Sequence, residues 1–269
     1  MVALAGCTQQ QLQGYLPGGP GVTNHTSGII GLWVTSWIVL LAVGLITWGL
    51  IIWAAIAYRR RKGQTGLPPQ LQYNMPIEVF YTVVPLILVL GFFAFTVKEQ
   101  TSIEARNPDP DVSIEVYGKQ WSWDVNYLDE GRYSTGIQGQ PTGAGAGASI
   151  DPALVPTVYL PVGKSVEIQL KSRDVIHSFW VIDFLYKKDV IPGKTNYMNF
   201  TPKEIGTYVG KCAELCGEYH SMMFFNVEVL SQADYDAAVA ELPEGRLGDE
   251  YNRNNNLPGT DAPETKTGE

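Results

Sequence analysis

No charged residue occurs in residues 26–58, and none in residues 79–97. A helix on the surface of a soluble domain keeps a polar stripe toward water, so runs of this length without one exclude that ordinary role. Basic residues are in deficit as well: residues 98–269 hold 26 acidic and 15 basic side chains, a formal charge of −11. That balance argues against nucleic acid as a partner and favours a positively charged protein. Histidine and cysteine are scarce, with three of each in 269 residues. His25 precedes the first uncharged run, which leaves His177 and His220 as the imidazoles of the C-terminal part.

Each uncharged run is long enough to cross a bilayer, because about 20 apolar residues rising 1.5 Å each span roughly 30 Å of hydrocarbon. The competing reading is a pair of buried core helices. Trp33, Trp37, Trp48, Trp53 and Tyr58 add aromatic groups of the kind found near lipid headgroups. Arg59-Arg60-Arg61-Lys62 follows the first run directly, and short cytoplasmic loops are enriched in Lys and Arg. The sequence therefore predicts a multi-pass cell-membrane protein in contact with lipid. Loop 59–77 lies inside, and both the N-terminal segment and everything after Lys98 lie on the extracytoplasmic side.

These landmarks divide the chain into an N-terminal extracytoplasmic segment (1–27), a helical hairpin (28–98), a folded domain (99–232) and a partly mobile C-terminal extension (233–269). In the first segment Leu4-Ala5-Gly6-Cys7 resembles the lipobox of bacterial lipoproteins. Six residues cannot supply the charged and apolar regions that such a signal needs before its cysteine. Either the start codon is misplaced and Cys7 is lipidated, or the tetrad is chance. In the domain, Val112-Ser113-Ile114-Glu115-Val116-Tyr117 alternates as a strand does. Further strands are expected at 157–160, 165–170, 177–182, 197–200, 207–211 and 224–230. Short strands at such spacing predict an antiparallel Greek-key sandwich or barrel. Residues 129–155, with Gly143-Ala144-Gly145-Ala146-Gly147-Ala148, lack large apolar groups and are expected to form an external loop inserted in that domain.

The densest chemistry lies in Lys211-Cys212-Ala213-Glu214-Leu215-Cys216-Gly217-Glu218-Tyr219-His220-Ser221-Met222-Met223, with the spacing Cys-x3-Cys-x3-His-x2-Met. Thiols, imidazole and thioether are soft or borderline ligands and together favour copper over hard cations. His177, at the head of an apolar run, could add a second nitrogen, although a lone histidine there also reads as an ordinary core residue. A Cys212–Cys216 disulfide would account for neither His220 nor Met223. Structural zinc prefers Cys-x2-Cys spacing and a closed set without thioether. A mononuclear blue-copper site uses one thiolate, and this segment has two.

That segment, with Asp174-Val175-Ile176-His177-Ser178 and Asp189-Val190-Ile191-Pro192-Gly193, resembles the binuclear copper A motif of cytochrome c oxidase subunit II. The resemblance covers the two helices and the domain to about Leu230. It implies a transmembrane hairpin followed by an all-β, cupredoxin-like Greek-key barrel. It further implies two copper ions bridged by Cys212 and Cys216, one completed by His177 and Met223, the other by His220 and the backbone carbonyl of Glu214. Met222 is the rival of Met223, and the family spacing selects the latter. The Glu214 side chain is similar to the one that reaches a magnesium ion at the border with subunit I.

Gly118-Lys119-Gln120-Trp121-Ser122-Trp123-Asp124 resembles the family's aromatic stretch, which implies Trp121 as an exposed electron-entry residue and Trp123 as structural. Core or surface packing of both is the plainer reading, and strand alternation puts them on one face. Glu78-Val79-Phe80-Tyr81-Thr82-Val83-Val84-Pro85 is similar to the family's second helix opening, which implies Glu78 at the cytoplasmic mouth of a proton path. A carboxylate at a helix start is also stabilising through the helix dipole alone. The implied activity is respiratory: electrons from cytochrome c, or from a c-type cytochrome domain, enter here. They pass to the heme of subunit I, where dioxygen becomes water, and other oxidase subunits complete the assembly. A membrane-anchored copper protein without electron transfer is the alternative.

Overall fold

The computed structural model describes residues 8–67, 70–139, 141–142, 149–150 and 155–249. Cys7 and most of the Gly/Ala stretch after residue 142 lie outside them. Two compact units are present: Gly28–Ser102 forms one, and the N-terminal segment together with the chain from Ile103 forms the other.

The first unit consists of the long helices α2 (Thr26–Ala57) and α3 (Met75–Glu104), which follow a single-turn α1 (Gln9–Leu12). Mean hydropathy reaches 2.4 in α2 and 2.3 in α3, and no part of either apolar window is buried against protein. Leu45, Trp48, Ile87 and Val89 are all more than half exposed, so the apolar surface that a core would cover is bare along both helices. α3 starts at a cap in which the Ile77 N–H donates to Asn74 Oδ1 at 3.5 Å and the Asn74 N–H donates to Glu78 Oε1 at 2.7 Å. This reciprocal arrangement satisfies donors that a helix start leaves open.

The second unit is all-β. Its strands are β1 (Val112–Lys119), β2 (Ser122–Tyr127), β3 (Arg132–Thr135), β4 (Pro141–Thr142), β5 (Ser149–Ile150), β6 (Thr157–Pro161) and β7 (Val166–Ser172). β8 (His177–Val181), β9 (Tyr186–Val190), β10 (Asn196–Phe200), β11 (Gly206–Cys212) and β12 (Phe224–Leu230) follow, and then helix α4 (Gln232–Ala240). Two five-stranded sheets run β10-β7-β1-β2-β3 and β6-β12-β11-β8-β9, with β4 and β5 as a separate pair. The expected architecture of two apolar helices and a β domain is present. The sheets are mixed rather than purely antiparallel, because β1 pairs with β7 and β6 with β12 in parallel.

Aromatic rings join the two sheets. Trp123 of β2, fully buried, meets Phe179 of β8 and Phe225 of β12 edge-on at 5.3 and 5.5 Å. Phe179 and Phe225 stack at 4.2 Å across β11, which lies between their strands. A Cβ on Gly210 of β11 would fall 2.1 Å from the Phe225 ring, so glycine is what allows the rings to meet. Such pairs add about 0.5–1.5 kcal/mol each beyond simple burial.

Three stretches expected to lie outside the core take part in it. Residues 129–155, expected as an external loop, include β3, which pairs with β2 and buries Tyr133. The extension 233–269 begins with α4, whose Tyr235 and Val239 are 1% exposed, and Leu247 is buried beyond it. The polar N-terminal segment is stitched to the loop after β10. Asn24 and Thr201 exchange hydrogen bonds of 2.7 and 3.1 Å, the Lys203 N–H donates to the Val22 carbonyl, and Val22 enters the core.

Candidate metal centre

Four elements converge at one end of the second unit. His177 opens β8, Cys212 closes β11, Met223 ends a short 3-10 turn (His220–Met222) and leads into β12, and Cys216 lies in the loop between. The Cys212 N–H donates to the Met223 carbonyl at 2.9 Å, and Ala213 N–H to Ser178 O at 3.0 Å. These bonds tie the ligand loop to the strand ends.

The distances describe a compact donor cluster. Cys212 Sγ lies 3.8 Å from Cys216 Sγ, 3.9 Å from His177 Nδ1 and 3.2 Å from the Glu214 carbonyl oxygen. Cys216 Sγ lies 3.5 Å from His220 Nδ1 and 3.8 Å from Met223 Sδ. Both cysteines are free thiols. His177, Cys212, Cys216 and Met223 are 4% exposed or less, whereas His220 is half-buried and the Glu214 side chain faces solvent. Met223, buried and in reach of a thiol, is therefore the thioether of the cluster. His177, Cys212 and Cys216 by themselves present ligand atoms within 4.8 Å of one another.

The two thiols and His177 perturb one another. The Cys216 contact, followed by the His177 imidazole, holds the Cys212 thiol well below the ordinary thiol range against the opposing effect of burial; Cys216, beside the ionised partner, is pushed up. Burial disfavours a charged His177, but its contacts to Asp174 and Cys212 outweigh burial and raise it. Asp174 Oδ1 lies 2.8 Å from His177 Nε2, which turns Nδ1 toward the thiols. A carboxylate in that position fixes ring orientation and tautomer. Two thiols, two imidazole nitrogens, a thioether and a carbonyl make a soft donor set with no hard anionic oxygen inside it, and that chemistry fits copper.

Trp121 sits beside this cluster, but not as an exposed strand residue. It occupies the turn between β1 and β2, so alternation does not apply to it, and it is 7% exposed. Its indole N–H donates to the Cys216 carbonyl at 3.1 Å, and its ring meets Tyr219 at 5.0 Å. Gln120 Nε2 donates to the same carbonyl at 2.8 Å. Gly217 makes room for this contact, since a Cβ there would stand 3.1 Å from the indole nitrogen and its φ is +120°. Trp123 reaches the site from the core side, 6.0 Å from the His177 ring. Glu78 stands in the first turn of α3, in the other unit. Sequence reasoning did not single out Asp174 or Tyr219. The one signal for Asp174 was a carboxylate three residues before His177.

Residues 112–230 match the family model for the periplasmic domain of cytochrome c oxidase subunit II. A protein from Streptomyces avermitilis named probable cytochrome c oxidase subunit 2 is 43% identical over 82% of this chain and 77% of its own. The cytochrome c oxidase subunit 2 of Mycobacterium tuberculosis H37Rv is 35% identical, covering 96% of this chain and 83% of its own. Among solved structures, the periplasmic domain of subunit II (CoxB) from Bradyrhizobium japonicum is 32% identical. It covers 50% of this chain and 95% of that one, with a TM-score of 0.42. Identity at this level, running through both helices and the β domain that carries the thiol cluster, means that the chain belongs to the cytochrome c oxidase subunit II family.

Proposed function

We propose that this chain is the electron-accepting subunit of a respiratory cytochrome c oxidase and that its site holds a binuclear copper A centre. The observation that carries the reading is the convergence of six donors, two of them adjacent thiols, from two stretches of chain, His177 and the segment 212–223. Cys212 and Cys216 would hold both ions, with His177 and Met223 serving one and His220 and the Glu214 carbonyl the other. Two copper ions held this way would share one electron, so that little bond rearrangement accompanies each transfer. The chain's own residues fix the geometry: the backbone bonds of Cys212 and Ala213 hold the loop, Asp174 orients His177, and Trp123 with the core behind it keeps water from that face.

Trp121 is the entry point for electrons from cytochrome c or a c-type cytochrome domain. It is nearly buried in the turn beside the donor cluster, and its N–H rests on the backbone carbonyl of Cys216. Subunit I receives the electrons at its heme and carries out oxygen reduction. The exposed Glu214 carboxylate is suited to a magnesium ion shared with subunit I, and Glu78 to the cytoplasmic mouth of a proton path. Both apolar helices cross the cell membrane. The N-terminal segment packs on the β domain, so both lie on one side, which requires an even number of crossings. The basic loop Arg59–Lys62 then faces the cytoplasm.

Electron paramagnetic resonance of the copper-loaded full chain in detergent tests the reading. Two coppers per chain and a signal from one electron shared equally by two nuclei are expected. A single-nucleus four-line spectrum would overturn the binuclear assignment. A shared-electron centre that accepts no electrons from reduced cytochrome c would leave the copper-binding alternative standing.

A further inference from the structure

Beneath the Trp121 turn lie three paired acidic and basic side chains that the donor cluster does not use. Lys119, the last residue of β1, places Nζ 2.6 Å from Asp124 Oδ1 on β2. Arg173, just past β7, places Nε 3.3 Å from Asp124 Oδ2. All three side chains are 3% exposed. Burying charges is costly, and apolar replacements of similar size often match or exceed such clusters in stability. Stability alone is therefore a weak reason for this one. Its geometry supplies another. Lys119 and Asp124 stand on the two strands that flank the turn, and Asp124 is shared between Lys119 and the Arg173 side chain.

The same loop reaches the metal centre through the next residue. The Arg173 N–H donates to the Gly118 carbonyl at 3.0 Å, and its guanidinium lies 3.9 Å over the Tyr117 ring. Asp174 accepts the Gln120 N–H at Oδ2, 2.6 Å, while its Oδ1 holds His177. The dipeptide Arg173-Asp174 thus holds β2 through the pair with Asp124, β1 through the backbone bond to Gly118 and the stack on Tyr117, and the crown of the turn together with His177 through Asp174. A buried charge that loses its partner is strongly penalised, so the two pairs on Asp124 resist separation where apolar contacts permit sliding.

We propose that the buried Lys119–Asp124–Arg173 cluster is a positioning device that holds the Trp121 turn against the metal centre, a role that builds on Trp121 as the electron-entry residue. Its members touch neither donor nor metal. They act by keeping the indole at hydrogen-bonding distance from the Cys216 carbonyl. Displacement of a reacting group by about 1 Å can cost on the order of 100-fold in rate, so a loosened turn has a measurable consequence.

The test replaces the cluster by apolar side chains, Lys119→Met, Asp124→Leu and Arg173→Met together, in the full-length, copper-loaded chain. Melting temperature, copper content and donor affinity should stay near the parent values. Exchange of the Trp121 indole proton, followed by nitrogen-15 NMR and identified with Trp121→Phe, should accelerate about 100-fold, and electron transfer within the bound donor complex should slow about tenfold. Parent-like indole exchange in the triple variant would overturn the proposal, as would a loss of melting temperature with exchange unchanged. Should the triple variant fail to fold, Lys119→Arg keeps every charge but displaces the Asp124 contact. A smaller acceleration of indole exchange then supports the device, and none refutes it. Trp121→Phe separates the two ideas: if the bound-state rate survives it, the entry role fails, while indole exchange still decides the positioning role.

Discussion

Gly118 lies against the imidazole of His177: a Cβ at position 118 would stand 2.8 Å from His177 Cδ2 and 3.1 Å from Cγ. The strand that leads into the Trp121 turn therefore forms one wall of the metal centre, and its lack of a side chain there is a condition for the ligand's position. Gly118→Ala should push His177 away from Cys212 and lower copper affinity about 10–100-fold, the range seen when groups supporting a ligand are disturbed. A copper competition titration measures this directly.

Met223 is 1% exposed with its sulfur 3.8 Å from Cys216, whereas Met222 is half-buried at the end of the 3-10 turn. Met223→Leu conserves volume and should cost less than about 1.5 kcal/mol of stability, yet shift the copper spectrum and reduction potential. Met222→Leu should alter neither. The reverse ranking in a potentiometric titration would assign the thioether to Met222.

The N-terminal segment contributes Val22 to the core and two mutual bonds between Asn24 and Thr201. A soluble fragment starting at Lys98 lacks all of these and should melt below a fragment in which residues 8–25 are supplied through a linker. Val22→Ala in the full chain should cost about 1–3 kcal/mol. Denaturant unfolding compares the three.

Glu115 is fully buried on β1, where burial raises its pKa but Lys171, Asn126 and Arg246 more than compensate, so that it lies below the ordinary carboxylate range. The folded state therefore binds the proton less tightly than the unfolded chain. The stabilisation is fully present above the unfolded value of 4.5 and is lost as pH falls through the folded value. Melting temperature should drop on acidification below about pH 4.5. Glu115→Gln should be less stable at pH 7 and show a flatter acid limb.

The chain from Lys98 onward carries a formal charge of −11, which should steer a basic donor over distances that salt screens beyond about 8–10 Å. Stopped-flow association with a basic cytochrome c should slow with ionic strength. Neutralising exposed acids should flatten that dependence while leaving the bound-state rate unchanged. Salt-independent association would favour a donor held permanently beside the subunit.

Composition by itself was enough for the two long helices: a run with no charge and no polar stripe has few stable environments, and no neighbour needs to be known to see that. That Cys212, Cys216, His220 and Met223 form a cluster of soft donors was legible for a similar reason, since they are close in sequence and their softness is a property of single atoms. Seven strands were legible as short apolar, β-branched runs, but β2, β3, β9 and the two-residue β4 and β5 were not. Ser122–Tyr127 is buried at every position, so its two faces show no contrast, and β9 carries Lys187, Lys188 and Asp189 in its middle. β2, β3 and β9 all pair with strands next to them in sequence, so what hid them was the lack of contrast between their faces; the parallel contacts of β1 with β7 and β6 with β12 depend on partners far along the chain. The burial of Tyr235, the docking of Val22 and the withdrawal of Trp121 from the surface were decided only by tertiary structure. Each depends on what lies across the core or across the turn, and a side chain's surroundings are not a property of its neighbours in sequence.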